Sequence, residues 1–148
     1  MVQVFFKNQN LSAGSLYRFG ALSKLRYMEL DGCKFNIDAV KSLRKEKPGL
    51  TIRPVAKAFM GVRGPTRFGA DLASECTITE VVSDSGAERA GLKIDDVITH
   101  VNNQEIQSFD DLILHISQFD VGAQPIIRVR RGEEEIDLPT ILTGPLLQ

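Results

Sequence analysis

The chain has 148 residues, of which 18 are basic and 19 acidic, so its formal net charge at neutral pH is −1. Because positive charge is not in excess, the overall field does not favour nucleic acid or an anionic membrane as a partner. No apolar run approaches the roughly 20 residues that cross a bilayer, and the first residues lack the pattern of a signal peptide. Cys33 and Cys76 have no neighbours at metal-ligand spacing, so we expect two buried free thiols, no metal and no cofactor.

Residues 22–35 follow a repeated apolar template, L-x-x-L-x-L-x-x-N/C-x-L, with Met28 and Phe35 in place of two leucines. A shift of one repeat toward the N-terminus gives three matches, in which Val4, Phe6 and Leu11 fall on Met28, Leu30 and Phe35. A shift the other way, one position longer, puts Leu50 on Leu25, which predicts a third strand beginning at Leu50. The region resembles a leucine-rich repeat, and we expect a domain over residues 1–54 with two to three strand-helix units.

A helix is predicted between the second and third strands of this region. Asn36 is a good N-cap, the apolar face consists of Ile37, Val40 and Leu43, and Pro48-Gly49 ends the helix. Each repeat needs stacked neighbours on both sides to bury its apolar face. The edge near Val2–Phe6 is therefore expected to be covered, either by a longer parent chain or by another molecule.

The second region, residues 55–148, begins with Phe59-Met60-Gly61-Val62 and a predicted loop over residues 63–75. Residues 76–82 alternate like a half-buried strand. The run from Ser85 to Asn103 then predicts a short helix, a strand and a tight turn. Its signals are a capping box at Ser85 and Glu88, a helix-ending Gly91, the strand residues 97–101 and the pair Asn102-Asn103.

This order of elements resembles the centre of a PDZ domain, of the bacterial type found behind HtrA-family serine proteases. The resemblance implies an α+β fold for residues 55–148, a partly open β-barrel or sandwich with two helices. Asp95 and Asn103 stand where the resemblance expects glycine, and both residue types tolerate positive φ. A second helix is predicted from its cap at Ser108 to about Phe119, followed by a hairpin that turns at Arg131-Gly132.

The resemblance also implies a binding site, because a PDZ domain adds a peptide to a sheet edge and receives its carboxylate at a glycine loop. Gly61 has no Cβ, so the loop amides are able to form an anion nest. Phe109, Ile113 and Ile116 share one helix face, although this spacing is also typical of core residues, and Leu112 is assigned to the core. The predicted peptide-binding residues are Phe59, Met60, Gly61, Val62, Arg63, Phe109, Ile113 and Ile116.

The residue pattern does not predict an enzyme. The sequence has no serine-hydrolase nucleophile motif, no Ca²⁺-loop spacing and no Walker or Rossmann glycine pattern. His100 and His115 are expected on a strand and on the second helix, as surface or partly buried side chains. Acidic pairs such as Asp110-Asp111 fit a helix N-terminus, where negative charge is favourable.

The leading hypothesis is a non-catalytic module that captures extended peptides, in particular apolar C-termini, by β-strand addition. The alternative is a regulatory, substrate-sensing part of a larger HtrA-like protease, which leaves the compartment open and an extracytoplasmic one conceivable. In a third hypothesis, the repeat segment is the functional surface and the tail over residues 143–148 fills the groove. Self-association through the exposed repeat edge or this tail is left open.

Overall fold

Buried apolar side chains form two clusters along the chain. In this computed structural model, which describes residues 2–64 and 75–144, one cluster is drawn from residues 16–52 together with Leu114. The other is drawn from residues 58–142. We call residues 2–55 the N-terminal unit and residues 58–144 the C-terminal unit.

The N-terminal unit is a parallel sheet with helical crossovers. Its strands are β1 (Val2–Lys7), β3 (Leu25–Asp31) and β5 (Thr51–Val55), hydrogen-bonded in that order. A second parallel pair consists of β2 (Asn10–Leu11) and β4 (Lys34–Phe35). The crossovers are the helices α1 (Ala13–Gly20) and α2 (Ile37–Glu46). Parallel neighbours require such long connections, which the predicted strand-helix alternation supplies.

The strand register confirms the alignment that the sequence predicts. Val4 lies opposite Met28, Phe6 opposite Leu30, and Leu11 opposite Phe35. The third strand exists, but it begins at Thr51, and Ile52 lies opposite Met28, so its offset equals the offset between the first two strands. The longer predicted shift and the predicted start at Leu50 were both wrong by one position. Leu50 is buried, but it precedes the first residue of the strand.

The C-terminal unit contains a four-stranded antiparallel sheet and a two-stranded one. The larger sheet has the order β11 (Glu134–Pro139), β10 (Ile126–Arg131), β8 (Val97–Val101) and β9 (Gln104–Glu105). The smaller pairs β6 (Val62–Arg63) with β7 (Glu80–Val81), and the helices are α3 (Gly86–Ala90) and α4 (Phe109–Ile116). The unit is a mixed α/β fold with open sheets and few helices. Among the described helices, none is long and apolar enough to cross a membrane.

Local signals around α3 behave as predicted. Ser85 Oγ accepts a hydrogen bond from the Glu88 N–H at 3.2 Å, and Gly91 ends the helix in the left-handed conformation with φ of 93°. In a capping box the Glu88 carboxylate would accept from the N–H of the N-cap, Ser85. Here it accepts instead from the N–H of the preceding residue, Asp84, at 3.2 Å. The three turn positions without glycine, Asp95, Asn102 and Asn103, all have positive φ, at 75°, 47° and 66°.

The single strand predicted over residues 76–82 was wrong. Thr77 forms an isolated bridge with Val97, whereas only Glu80 and Val81 pair with β6. The segment changes partner midway, and a strand that switches between two sheets cannot continue one ladder. The alternating apolar pattern is satisfied by both sheets, so the pattern alone did not reveal the break. α4 is also shorter than predicted, because it ends at Ile116.

Both cysteines are buried free thiols, as their spacing predicts. Burial raises the pKa of the Cys76 thiol to about 12, so this thiol is neutral at physiological pH.

Helix α4 belongs to both units. Leu114 is fully buried in the N-terminal cluster, while Phe109, Leu112 and Ile116 are buried in the C-terminal cluster. Just beyond the helix, the Gln118 side chain donates to the Cys33 carbonyl at 3.1 Å and accepts from the Phe35 N–H at 2.9 Å. The two units are therefore joined through this helix and through the residue Gln118 just beyond it.

We predict that Leu114→Ala lowers the free energy of unfolding of the whole chain by about 2–5 kcal/mol, because it leaves a cavity in a core that the helix enters from the other unit. The control is Leu22→Ala, since Leu22 is 46% exposed, and it should change stability little. Urea unfolding followed by circular dichroism measures both. Equal midpoints for the two variants would contradict the shared-helix arrangement.

Candidate functional site

A cleft of about 510 Å³ lies between β5, β6 and α4. Its lining is mainly apolar and consists of Arg53, Pro54, Val55, Ala56, Ala58, Phe59, Met60, Gly61, Val62, Arg63, Val82, Phe109, Leu112, Ile113 and Ile116. All eight residues that the sequence singled out are therefore brought together around one concave site.

The loop at residues 59–62 has its carbonyls bound by the body of the protein. The carbonyls of Phe59, Met60 and Gly61 accept N–H groups from Thr143, Ala87 and Val82 at 3.0, 2.9 and 2.8 Å. In a trans peptide unit the N–H points opposite to the C=O, and the described residues contain no cis bond. The N–H groups of Met60, Gly61 and Val62 therefore point away from those donors, and all three residues line the cleft. Successive backbone amides at a glycine turn are able to form a nest for an anion.

Gly61 is required by this loop for two reasons. Its φ is +96°, which side-chain-bearing residues rarely adopt. In addition, a Cβ at Gly61 would overlap the Cβ and Oγ of Ser85, the N-cap of α3. The loop thus rests directly on the helix start that the capping motif builds.

Strand β6 leaves one edge toward the cleft. The carbonyls of Gly61 and Arg63 accept from Val82 and Thr79, both at 2.8 Å, on the β7 side. Because backbone groups alternate along a strand, the N–H and C=O of Val62 point to the opposite side. This edge is able to accept a further strand.

The helix wall of the cleft serves the core as well. Phe109 and Ile116 are buried members of the C-terminal cluster, and Ile113 is the half-buried residue between them. Leu112, predicted as core, is buried and also lines the cleft. Phe59 on the loop is 44% exposed. Both interpretations of the apolar helix face, as core and as cleft wall, therefore hold.

An ion pair ties the start of α4 to the N-terminal unit. Ser108 Oγ accepts from the Asp111 N–H at 3.2 Å, and the Asp111 carboxylate lies 2.7 Å from Lys41 Nζ on α2. Burial alone would raise the pKa of Asp111, but hydrogen bonds with His115, Lys41 and the Gln107 amide outweigh it and lower the pKa. Asp111 is therefore a buried carboxylate that stays charged.

His115 completes this contact. Its Nδ1 lies 2.9 Å from the Asp111 carbonyl and 3.4 Å from the Asp111 carboxylate. Burial alone would lower the pKa of His115, but the hydrogen bonds with Asp111 outweigh it and raise the pKa. The side chain thus has a structural partner, consistent with its predicted position on the second helix.

Sequence reasoning missed the contribution of β5 to the cleft. Arg53, Pro54, Val55 and Ala56 form four consecutive lining positions. They were assigned to the end of the repeat segment or to the start of the next domain, so no pattern connected them with the groove. Tail residues 145–148, which one hypothesis places in the groove, lie outside the described residues.

Comparison with known families decides the class of this fold. Residues 41–142 match the family model described as PDZ domain. The chain belongs to the PDZ domain family. The match begins inside α2, ahead of the boundary predicted between residues 54 and 55, and that boundary stays a prediction.

Curated relatives of this PDZ chain are named as proteases. A probable periplasmic serine protease do/HhoA-like from Haemophilus influenzae is 30% identical over 115 residues, covering 72% of this chain and 24% of the relative. A probable periplasmic serine endoprotease DegP-like from Chlamydia trachomatis is 28% identical over 95 residues, covering 64% of this chain and 18% of the relative. The PDZ chain thus matches less than a quarter of either relative's length.

Solved structures show the same fold. The HtrA-type protease AlgW with decapeptide has a TM-score of 0.52 at 19% identity, covering 74% of this chain and 35% of that one. The serine endoprotease from Yersinia pestis has a TM-score of 0.50 at 19% identity, covering 60% of this chain and 29% of that one. At these identities the likeness concerns the fold.

We predict that Gly61→Ala destabilises the PDZ chain more than Gly91→Ala. The two glycines have nearly equal φ, 96° and 93°, but a Cβ at Gly91 meets nothing within 4 Å. Gly91→Ala should therefore show backbone strain of about 1 kcal/mol, and Gly61→Ala this strain plus the overlap with Ser85. Thermal unfolding of both variants measures the difference, and equal melting temperatures would contradict the close approach of the loop to α3.

We predict that the His115–Asp111 contact makes stability depend on pH. His115 has a raised pKa, so its stabilisation is complete below its ordinary value of 6.5 and is lost as pH rises through the raised value. Asp111 has a lowered pKa, so its stabilisation is complete above 3.8 and is lost as pH falls through the lowered value. The contribution is therefore largest between these two ordinary values.

Urea unfolding between about pH 3 and pH 8 tests this dependence. His115→Gln should remove the decline on the alkaline side, because glutamine does not titrate. It should weaken but not abolish the acidic decline, because Lys41 and the Gln107 amide still lower the pKa of Asp111. A variant that loses stability with rising pH as steeply as the parent chain would show that His115 is not the group responsible.

Proposed function

We propose that the cleft captures the C-terminal segment of an extended peptide as a strand added to β6. The N–H groups of Met60, Gly61 and Val62 receive the terminal carboxylate. The Val62 backbone pairs with the peptide, and its apolar terminal side chain lies against Ile113 and Ile116. The chain itself performs no chemistry in this role.

The orientation of the loop amides carries this proposal. Three consecutive carbonyls are bound by the body of the protein, so the matching N–H groups point away from their donors, and their residues line the cleft. Backbone amides of this kind are the receptor for a carboxylate in peptide capture by strand addition. The bound carbonyls also hold the loop rigid, which reduces the entropy lost on binding.

The side chains around these amides suit an apolar anchor. Phe59 and Val62 stand on the loop side of the cleft, and Phe109, Ile113 and Ile116 on the helix side. Burying a valine or leucine side chain contributes about 1.5–3 kcal/mol. Arg63 at the rim lies 3.8 Å from Glu80 and is the exposed polar residue that we assign to the same site.

A second proposal is that this PDZ unit is the regulatory, substrate-sensing part of a larger HtrA-like protease. The relatives favour this proposal, because both are named as serine proteases and both are several times longer than the matched region. An extracytoplasmic location belongs to this proposal, because two of those names include the word periplasmic. The genomic sequence around the coding region tests it, and a reading frame without a protease domain would end it.

We also propose that the N-terminal unit is a leucine-rich-repeat fragment of two to three strand-helix units. The support is the constant offset between neighbouring strands, which aligns Val4 with Met28 and Met28 with Ile52 in one hydrogen-bonded row. A repeat array buries its core between stacked units of this kind. Here the last strand, β5, is adjacent to α4, so the C-terminal unit covers one end of the stack.

We predict that N-acetylated pentapeptides ending in valine, leucine or phenylalanine bind with micromolar dissociation constants, and that Ile113→Asp abolishes this binding. A carboxylate on the helix wall would repel the ligand terminus and remove the apolar contact. Ile94→Asp is the matched control, because Ile94 is 57% exposed and does not line the cleft.

Isothermal titration calorimetry measures these affinities. Ile94→Asp should bind like the parent chain. Retained affinity in Ile113→Asp, or equal loss in both variants, would show that the cleft is not the binding site.

A further inference from the structure

The first part of the chain carries only positive charge. Four of the 18 basic residues, Lys7, Arg18, Lys24 and Arg26, fall within residues 2–28, which contain no aspartate or glutamate. This leaves 14 basic residues against all 19 acidic ones in the rest of the chain. The four cations are exposed, and none of them forms an ion pair within the described residues. Their surface is complementary to an anionic partner.

Exposed apolar side chains are concentrated in the same part of the molecule. Ten large apolar residues are exposed in the described chain, and half of them lie within residues 2–22: Val2, Phe5, Tyr17, Phe19 and Leu22. Phe5 is 62% exposed and contacts the Tyr27 ring, with the ring centroids 5.7 Å apart. Phe19 contacts the ring of Phe6 at 4.9 Å. Because side chains alternate along β1, these two contacts lie on opposite faces of the sheet.

Strand β1 has an open edge. In the described chain its only neighbour in the sheet is β3. The Asn8 N–H donates to the Asp31 carbonyl of β3 at 2.8 Å, so the Lys7 carbonyl points away from β3. Since backbone groups alternate along a strand, the N–H and C=O of Phe5 point to the same open side. Within the described residues, this side is contacted only by the Gln9 amide, at 3.4 Å from the Lys7 carbonyl.

An open strand edge of this kind fits a polypeptide. An extended segment supplies both the donors and the acceptors that the edge needs, whereas lipid tails supply neither. The side chains of an added strand would alternate between the two faces of the sheet. On one of these faces Val4 and Phe6 pack against the N-terminal cluster but are only half-buried. Apolar side chains beside them would complete the burial of this core.

We propose that the β1 edge binds an extended acidic segment of a partner protein as a fourth strand of the parallel sheet. Apolar residues of the segment cover Val4 and Phe6, and its carboxylates lie in the field of the four cations. A second copy of β1 would instead bring two sets of cations together, which is unfavourable. The β1 edge and the cleft beside β5 lie at opposite ends of the sheet, so this site is separate from the cleft.

Two hexapeptides with an acetylated N-terminus and an amidated C-terminus test the proposal. One alternates glutamate with valine, and the other alternates lysine with valine. Neither has a terminal carboxylate, so the result is independent of the function proposed for the cleft. At low ionic strength the acidic peptide should bind about tenfold more tightly than the basic one. This preference should shrink as salt is added, because exposed charges are screened. Nuclear magnetic resonance titration measures both affinities.

Phe5→Pro tests the strand addition itself. Proline at this position removes an N–H that points to the open side, and no bond to β3 is lost. This variant should no longer bind the acidic peptide. Phe5→Thr, the matched control, loses the ring but keeps the N–H, so it should still prefer the acidic peptide. Circular dichroism checks that both variants are folded.

A charge variant keeps the proposal testable if Phe5→Pro does not fold. Lys7→Glu should weaken binding of the acidic peptide about fivefold, the upper range for one exposed ion pair. Arg89→Glu is the matched control, because Arg89 is an exposed cation on α3 in the C-terminal unit, and it should bind like the parent chain.

Three results would overturn the proposal. The first is equal affinity for the two peptides, and the second is unchanged binding by a folded Phe5→Pro variant. The third is binding to phosphatidylglycerol vesicles without binding to the acidic peptide, which would identify the cationic surface as a membrane contact.

Discussion

Helix α4 is the element on which the rest of the structure depends. One face buries Leu114 in the N-terminal cluster, and the other buries Leu112 and Ile116 in the C-terminal cluster. Its first turn is fixed by the ion pair between Asp111 and Lys41. A helix packed on both sides cannot shift without disturbing two cores. The wall of the cleft is therefore formed before any ligand arrives.

The loop opposite this helix contains the backbone amides that we propose as the carboxylate receptor. Its carbonyls are bound by three separate segments of the protein, so its amides point away from those segments. Gly61 makes this possible, because only glycine combines the positive φ with close contact to Ser85. In the proposed binding mode, carboxylate capture depends on the placement of the backbone, and the surrounding side chains select the ligand.

Much of this arrangement was predictable from local signals. The repeat offset between the strands and the cap at Ser85 each have a spacing that one physical cause explains, whereas the loop around Gly61 was expected from the resemblance to PDZ domains. Contacts between distant segments were not predictable in this way. Leu114 looks like any apolar helix residue, and Arg53 belongs to a strand whose pattern reports only its own sheet. The break in the strand after Thr77 was hidden because both partner sheets accept the same alternation.

The central claim is that the loop amides, the α4 face and the β5 wall form one site for a peptide carboxyl terminus. Nuclear magnetic resonance titration of the isotopically labelled chain with a free-acid pentapeptide tests it most directly. The account predicts large shift changes at the amides of Gly61 and Val62, at the Ile113 methyl groups and at the Arg53 side chain, all with one dissociation constant. Changes confined to another surface, or saturation without any change at Gly61 and Val62, would contradict it.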